Sequence, residues 1–98
     1  MLFRSYSTDL IAAINACQSL RYLIMETAFP EEMRAVAIAA RHLCPGMLDA
    51  MLSELTVSPE VFISHLKPGM DECIMEQIDA LNMRLKPTRL MRGQVFEF

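Results

Sequence analysis

The sequence predicts one small α/β domain, and two observations carry that prediction. Short runs of consecutive apolar residues, typical of buried strands, alternate along the chain with stripes of apolar residues at helical spacing. Prolines and glycines separate these segments at regular intervals and keep each element short. A length of 98 residues suits a single domain with one core.

The first half of the chain is predicted to form a helix, a strand and a second helix. Residues 9–17 place apolar side chains at helical spacing. Residues 21–27 enclose the uninterrupted apolar run 22–25, as expected of a buried strand. Pro30 then opens a helix that reaches Ala40, because proline suits the first helical position and two glutamates follow it near the positive end of the helix dipole.

The second half repeats this alternation and adds a pair of strands. Its predicted elements are helix 45–55, strand 60–64, helix 69–81 and two short strands, 89–91 and 95–98. Arg92-Gly93 lies between the last two strands and indicates a hairpin turn. We expect both inner strands to be buried on both faces, so that the sheet needs a covering layer on each side.

Composition and charge exclude several classes of function. Apolar types make up 53% of the chain, which argues against disorder. The net charge is −3, so binding of nucleic acid by bulk charge is not expected. The apolar runs are far shorter than the roughly 20 residues of a membrane span. The cysteines, Cys17, Cys44 and Cys73, are odd in number and widely spaced, which favours reduced thiols and a cytoplasmic location.

Four side chains near the predicted strand ends are candidates for chemistry. Ligands of open α/β sheets gather at the carboxyl ends of strands, where Glu26 and His65 are expected. Glu26 is a candidate acid, base or orienting group, or else a solvated edge residue. His65 is a candidate metal ligand, or else a partly buried histidine that closes the strand. His42 and Lys67 lie in neighbouring loops, and each has the alternative of simple solvation.

Two further groups of residues favour structural explanations. His42 and Cys44 are close in sequence, but a zinc site needs three or four ligands. The basic residues of the C-terminal part are predicted to form a solvated hairpin face, because no aromatic residues are interleaved for base stacking. These basic residues are Arg84, Lys86, Arg89 and Arg92.

Residues 23–30, 41–45, 62–69 and 92–96 together resemble the C-terminal part of the metallo-β-lactamase-fold hydrolases, and most of all the class II cyclic-nucleotide phosphodiesterases. The resemblance extends over nearly the whole chain from Thr8 onward. It implies that the predicted elements, in the order helix, strand, helix, helix, strand, helix, strand, strand, form the C-terminal half of an αββα sandwich.

The resemblance also implies roles for individual residues. His65 matches the last metal-ligand histidine, which follows a strand in a Ser/Thr-His-Leu-Lys-Pro setting. His42 matches the histidine of a Gly-His-Leu-Thr-Pro-like motif that lies close to the scissile phosphate, and Glu26 matches an acid that supports the site. The sequence departs from the pattern at Arg41, where the family usually has glycine, and at Cys44, where it often has threonine.

The first metal ligands of the family, a His-x-His-x-Asp-His motif and an aspartate in a Gly-Asp-Thr turn, have no counterpart in this chain. We therefore expect this chain to be a fragment of a phosphodiesterase. The intact enzyme is expected to use two divalent metal ions, with zinc the expected metal. The fragment alone is expected to bind metal weakly at most. The alternative is a non-catalytic α/β module that acts as a monomer or homodimer. Residues 1–5 are interpreted as an assembly artefact, because Leu2-Phe3-Arg4-Ser5 matches a translated sequencing adapter.

Overall fold

The computed structural model describes residues 2–3, 8–64 and 66–95, and these form a small α/β fold with a parallel sheet. The strands are β1 (Leu2–Phe3), β2 (Tyr22–Glu26), β3 (Glu60–Ser64) and β4 (Thr88–Arg89). Their order in the sheet is β1-β2-β3-β4, and each neighbouring pair is parallel. The predicted α/β class and both inner strands are therefore confirmed.

The helices occur where the apolar periodicity predicted them. They are α1 (Thr8–Asn15), α2 (Arg34–Ala40), α3 (Pro45–Ser53) and α4 (Asp71–Ala80). A 3₁₀ turn at Glu31–Met33 precedes α2, so Pro30 starts a tight turn that then opens into the helix. Pro45 is the first residue of α3, where its missing N–H group costs no helical hydrogen bond.

The hydrophobic core lies between the helices and one face of the sheet. Side chains alternate between the two faces of a strand, and on β2 the buried pair is Leu23 and Met25. Val61 and Ile63 of β3 lie beside them in the same core. The helices contribute Ile11, Ile14, Leu48, Met51, Leu52, Ile74 and Ile78. Because every crossover joins the next strand in order and parallel crossovers are right-handed, the helices collect on one face.

The second face of the sheet differs from the expectation of burial on both sides. On β2 this face carries Tyr22 and Ile24, which are half-buried, so the expectation was wrong for this strand. On β3 it carries Phe62, which is buried, and the expectation is confirmed there. The ring centroids of Tyr22 and Phe62 lie 6.3 Å apart across the strand pair.

The predicted C-terminal hairpin is wrong for the residues that the structure describes. β4 pairs in parallel with β3 and so extends the main sheet. Arg92 and Gly93 do form a turn, with Gly93 at a φ of +80°, but Met91 and Val95 on either side are not in strands. Residues 96–98 lie outside the described part. β1 falls within residues 1–5 and was not predicted as a strand.

No single helix in the described ranges is long and apolar enough to cross a membrane. The segments Glu31–Ala40 and Pro45–Ser53 together reach the necessary length and hydropathy, but they are bent by 74° at the break between them.

Candidate functional site

The carboxyl ends of β2 and β3 lie level with each other. Glu26 is in register with Ser64, the last residue of β3. The pairing continues past the strands, because the N–H of Thr27 donates to the carbonyl of Ser64 at 3.3 Å, and that of Lys67 donates to the carbonyl of Ala28 at 3.0 Å. The loops that follow the two inner strands are thereby held side by side, as expected for a ligand site in an open parallel sheet.

His42 is brought to this edge by the end of α2. The helix stops at Arg41, whose φ of 59° and ψ of 43° are left-handed, and the N–H of His42 donates to the carbonyl of Ala37 at 2.9 Å. The N–H of Phe29 donates to the carbonyl of Leu43 at 3.4 Å, which ties the loop after β2 to the loop after α2. This left-handed conformation is one that glycine adopts more easily than arginine.

Glu26 and His42, two residues predicted separately from the sequence, are neighbours in the fold. Nδ1 of His42 lies 3.8 Å from Oε2 of Glu26, and only 23% and 14% of the two side chains are exposed. The two atoms themselves are shielded from solvent. His42 is therefore no solvated loop residue and Glu26 no solvated edge residue. At 3.8 Å the two atoms are within ion-pair distance but too far apart for a hydrogen bond. A carboxylate near an imidazole nitrogen is a common feature around functional histidines.

A cleft of about 360 Å³ opens at this edge of the sheet. Its lining consists of Ala28, Phe29, His42, Leu66, Lys67 and Pro68. The ring of Phe29 meets that of His42 edge-on with centroids 5.9 Å apart, and Nζ of Lys67 lies 5.7 Å from the Phe29 centroid. The cleft thus combines an aromatic surface with one imidazole and one ammonium group, a combination that suits a small anion or a phosphate ester.

Phe29 is a site residue that the sequence reasoning did not single out. It lies in the loop between the strand end at Glu26 and the turn that begins after Pro30. An aromatic residue between a strand's carboxyl end and a helix-opening proline was the available signal. Aromatic residues are common core components, so this position in the sequence did not distinguish a cleft wall from a core residue.

Glu31 organises the start of α3 next to the site. Its Oε1 accepts a hydrogen bond from the N–H of Gly46 at 2.7 Å, and its Oε2 accepts one from Nε of Arg34 at 2.6 Å. Burial by itself raises the pKa of Glu31, but the Gly46 N–H and the Arg34 guanidinium outweigh it, so that the pKa lies below its ordinary value. The N–H of Glu31 donates to Oε1 of Gln77 on α4 at 2.8 Å.

Cys44 packs into the protein interior at the start of α3. Its side chain is fully buried before α3, and burial together with the neighbouring Glu31 carboxylate raises the pKa of the thiol. A thiol with a raised pKa is a poor nucleophile and a poor metal ligand near neutral pH. Cys44 is therefore a packed, buried thiol at the start of α3.

The C-terminal basic residues anchor loops. Arg84 donates from Nη2 to the carbonyl of Leu55 at 3.0 Å and from Nη1 to Oγ of Ser58 at 2.9 Å. Arg89 forms an ion pair with Asp71 at 2.7 Å. All four basic residues are exposed, as expected, although they do not form a hairpin, and two of them also hold the segments around α3 and α4 in place.

His65, the predicted metal ligand, lies outside the described residues. Its chain neighbours are Ser64, at the end of β3, and Leu66, which lines the cleft. Within residues 8–64 and 66–95, no group of three or more histidine, cysteine, aspartate or glutamate side chains could hold a metal ion. The described part thus brings Glu26, His42 and Lys67 to one edge, and it provides no complete metal centre.

Comparisons with protein-family models, curated proteins and solved structures found no match to this chain. The described geometry gives two neighbouring groups, an imidazole and a carboxylate, and a nearby ammonium at the carboxyl ends of two parallel strands.

Proposed function

We propose that this chain is the C-terminal half of a metallo-β-lactamase-like αββα sandwich, from a metal-dependent phosphodiesterase that hydrolyses a cyclic nucleotide or a related phosphodiester. The main observation in support is that Glu26 and His42 lie next to each other at the wall of a cleft that Lys67 also lines. Alone, the chain is expected to be inactive, because most of the metal ligands that the resemblance implies are missing from the sequence.

Within this proposal, His42 contacts the phosphate or donates a proton to the leaving oxygen. The negative charge of Glu26 orients the imidazole across the 3.8 Å between them, and Lys67 attracts the anionic substrate to the cleft. His65 would be one metal ligand of the complete enzyme. Two bound metal ions would supply charge stabilisation and an activated water. The described donors do not form a metal centre, so no step through the metals is assigned to this chain.

The one-sided packing of the sheet supports the half-sandwich interpretation. Helices cover one face, whereas Tyr22 and Ile24 on the other face of β2 stay half-buried. A second sheet packed at about 10 Å would complete the burial of these side chains. The location of the Glu26–His42 pair at the strand ends also agrees with a site that is completed by residues of another segment.

The test measures zinc binding and hydrolysis by the chain, first alone and then with an N-terminal half supplied from an intact phosphodiesterase of the resembled class. We expect weak zinc binding that His65→Gln removes, and no hydrolysis of bis(p-nitrophenyl) phosphate or of a 3′,5′-cyclic nucleotide by the chain alone. Stoichiometric binding of two metal ions with turnover by this chain alone would contradict the fragment proposal.

Reconstitution in trans then tests the roles of the two paired residues. In an active complex, His42→Gln should lower kcat by about 10²–10⁴-fold, as expected for loss of a general acid. Glu26→Gln should cost about 10–100-fold, the range for a residue that acts by orienting another. Lys86→Gln, a surface substitution away from the cleft, is the matched control. Unchanged turnover in the His42 variant would remove His42 from the mechanism.

The alternative of a non-catalytic α/β module is favoured by the compactness of the chain. The radius of gyration is 12.7 Å, close to the roughly 13 Å of an independently folded domain of about 100 residues. A sharp, cooperative thermal transition that a chelator does not alter would support the module. Binding of the dye ANS, or aggregation through exposed apolar sheet, would support the fragment.

A further inference from the structure

Phe29 has no part in the roles proposed above, although its ring forms a wall of the cleft. Its backbone is fixed from both sides. The N–H of Phe29 donates to the carbonyl of Leu43 at 3.4 Å, and the carbonyl of the preceding Ala28 accepts from the loop after β3 at 3.0 Å. Pro30 follows and restricts the backbone of Phe29 to extended conformations. A ring held in this way loses little conformational freedom when a ligand packs against it.

The two groups that would contact a phosphate lie beside this ring. The centroid of the His42 ring is 5.9 Å from that of Phe29, and Nζ of Lys67 is 5.7 Å from the Phe29 centroid. The Lys67 distance is near the outer limit of about 6 Å for attraction between a cation and a ring, so this contact is weak and a bound anion competes for the ammonium group. A phosphate that contacts both groups has its ester substituents next to the ring of Phe29.

The rest of the cleft lining is apolar. Ala28, Leu66 and Pro68 complete it, and within the described part of the chain His42 and Lys67 are the only polar side chains of this lining. Two polar groups suit one phosphate, and an apolar wall favours an uncharged, planar substituent beside it over a second charged group. An aromatic substituent gains most, because two rings attract each other in offset or edge-on arrangements at centroid separations of about 4.5–7 Å.

We propose that Phe29 determines the substrate specificity of the cleft by stacking against an aromatic group of the bound phosphodiester. Diesters that carry a nucleobase or an aryl group are then preferred over diesters with alkyl groups. Stacking of a base on an aromatic side chain typically strengthens binding about 5- to 150-fold. This role of Phe29 rests on the proposed function, since the bound anion is taken to be a phosphodiester.

The experiment measures dissociation constants of two probes by NMR titration of the chain alone, in the presence of EDTA. Diphenyl phosphate and diethyl phosphate are both monoanionic diesters, so they differ in the aryl groups and not in charge. Phe29→Leu keeps an apolar side chain without the ring and should weaken binding of diphenyl phosphate at least about fivefold, with less than about a twofold change for diethyl phosphate. Lys67→Gln should weaken both probes equally, by up to about fivefold.

Two further variants separate loss of the ring from loss of the fold. Phe29→Tyr keeps an aromatic ring and should keep the aryl preference. Tyr22→Leu is the matched control, because it removes a half-buried aromatic ring from the second face of the sheet, away from the cleft lining, and should leave both dissociation constants unchanged.

The binding measurement needs neither metal nor turnover, so it is distinguishable from the test of hydrolysis. An aryl preference that Phe29→Leu removes would support the stacking role even if the reconstituted complex failed to hydrolyse bis(p-nitrophenyl) phosphate, a failure that would count against the phosphodiesterase proposal alone. A wild-type chain that does not bind diphenyl phosphate, or that binds both probes equally, would overturn the role of Phe29. Equal weakening of the two probes by Phe29→Leu would overturn it as well, even beside an active complex.

Discussion

Arg41 stands in a backbone conformation that glycine adopts more easily, and Arg41→Gly should stabilise the protein. With φ at 59° and ψ at 43°, the backbone of Arg41 is in the left-handed region. The crowding of the Cβ atom in this conformation costs an L-residue roughly 1–2 kcal/mol. Glycine lowers this cost but adds about 0.4–1 kcal/mol of unfolded-state entropy. The expected net gain in the free energy of unfolding is about 0.5–1 kcal/mol.

The assay is urea and thermal unfolding in dilute solution, followed by circular dichroism at 222 nm. A gain of this size should raise the melting temperature by about 2–8 °C for a domain of this length. Arg41→Ala is the matched control, because it removes the same charge but keeps a Cβ atom, and therefore the backbone strain, at this position. A glycine variant no more stable than the alanine variant would refute the argument from backbone strain.

Three further predictions concern the core, the α3 start and the thiols. Leu48→Ala should cost about 2–5 kcal/mol in urea unfolding, because Leu48 is fully buried, whereas Leu81→Ala, at an exposed position, should cost below about 0.5 kcal/mol. Because the pKa of Glu31 is lowered in the folded protein, its ionised carboxylate stabilises the fold at pH values above the ordinary pKa of 4.5. This stabilisation is lost as the pH falls through the lowered pKa of the folded protein. The stability difference between wild type and Glu31→Gln should therefore shrink from pH 6 to pH 3, and a constant difference would contradict it. With DTNB at pH 8, Cys73 should react at once and Cys44 only on unfolding, since burial raises the pKa of the Cys44 thiol. Equal rates for the two thiols would count against that assignment.

Local sequence features predicted the elements well. Pro30 and Pro45 marked the turn before α2 and the start of α3, because proline suits a first helical position. The apolar run 61–63 is buried throughout, as a run without alternation predicts. The run 22–25 has the same appearance but is buried on one face only. Burial of a strand depends on what packs against each face, which the strand's own residues do not specify.

The partner of the last strand was the main error in the fold. Arg92-Gly93 carries the local signature of a turn, and a turn does form there. The hairpin prediction assumed that neighbouring segments pair with each other. β4 instead pairs with β3, more than twenty residues earlier in the chain, through the crossover that contains α4. Non-local pairing depends on the path of the whole chain, and a local motif carries little information about it.

The sequence by itself determined the alternation of helices and strands, the positions at which most of them begin, and the candidacy of Glu26 and His42 as separate residues. Only the tertiary structure decided that these two side chains lie 3.8 Å apart, that Phe29 and Lys67 border the same cleft, and that α2 presents an apolar surface outward. Propensity and periodicity act over one or two turns of chain, whereas proximity and exposure follow from how parallel crossovers place distant segments on one sheet.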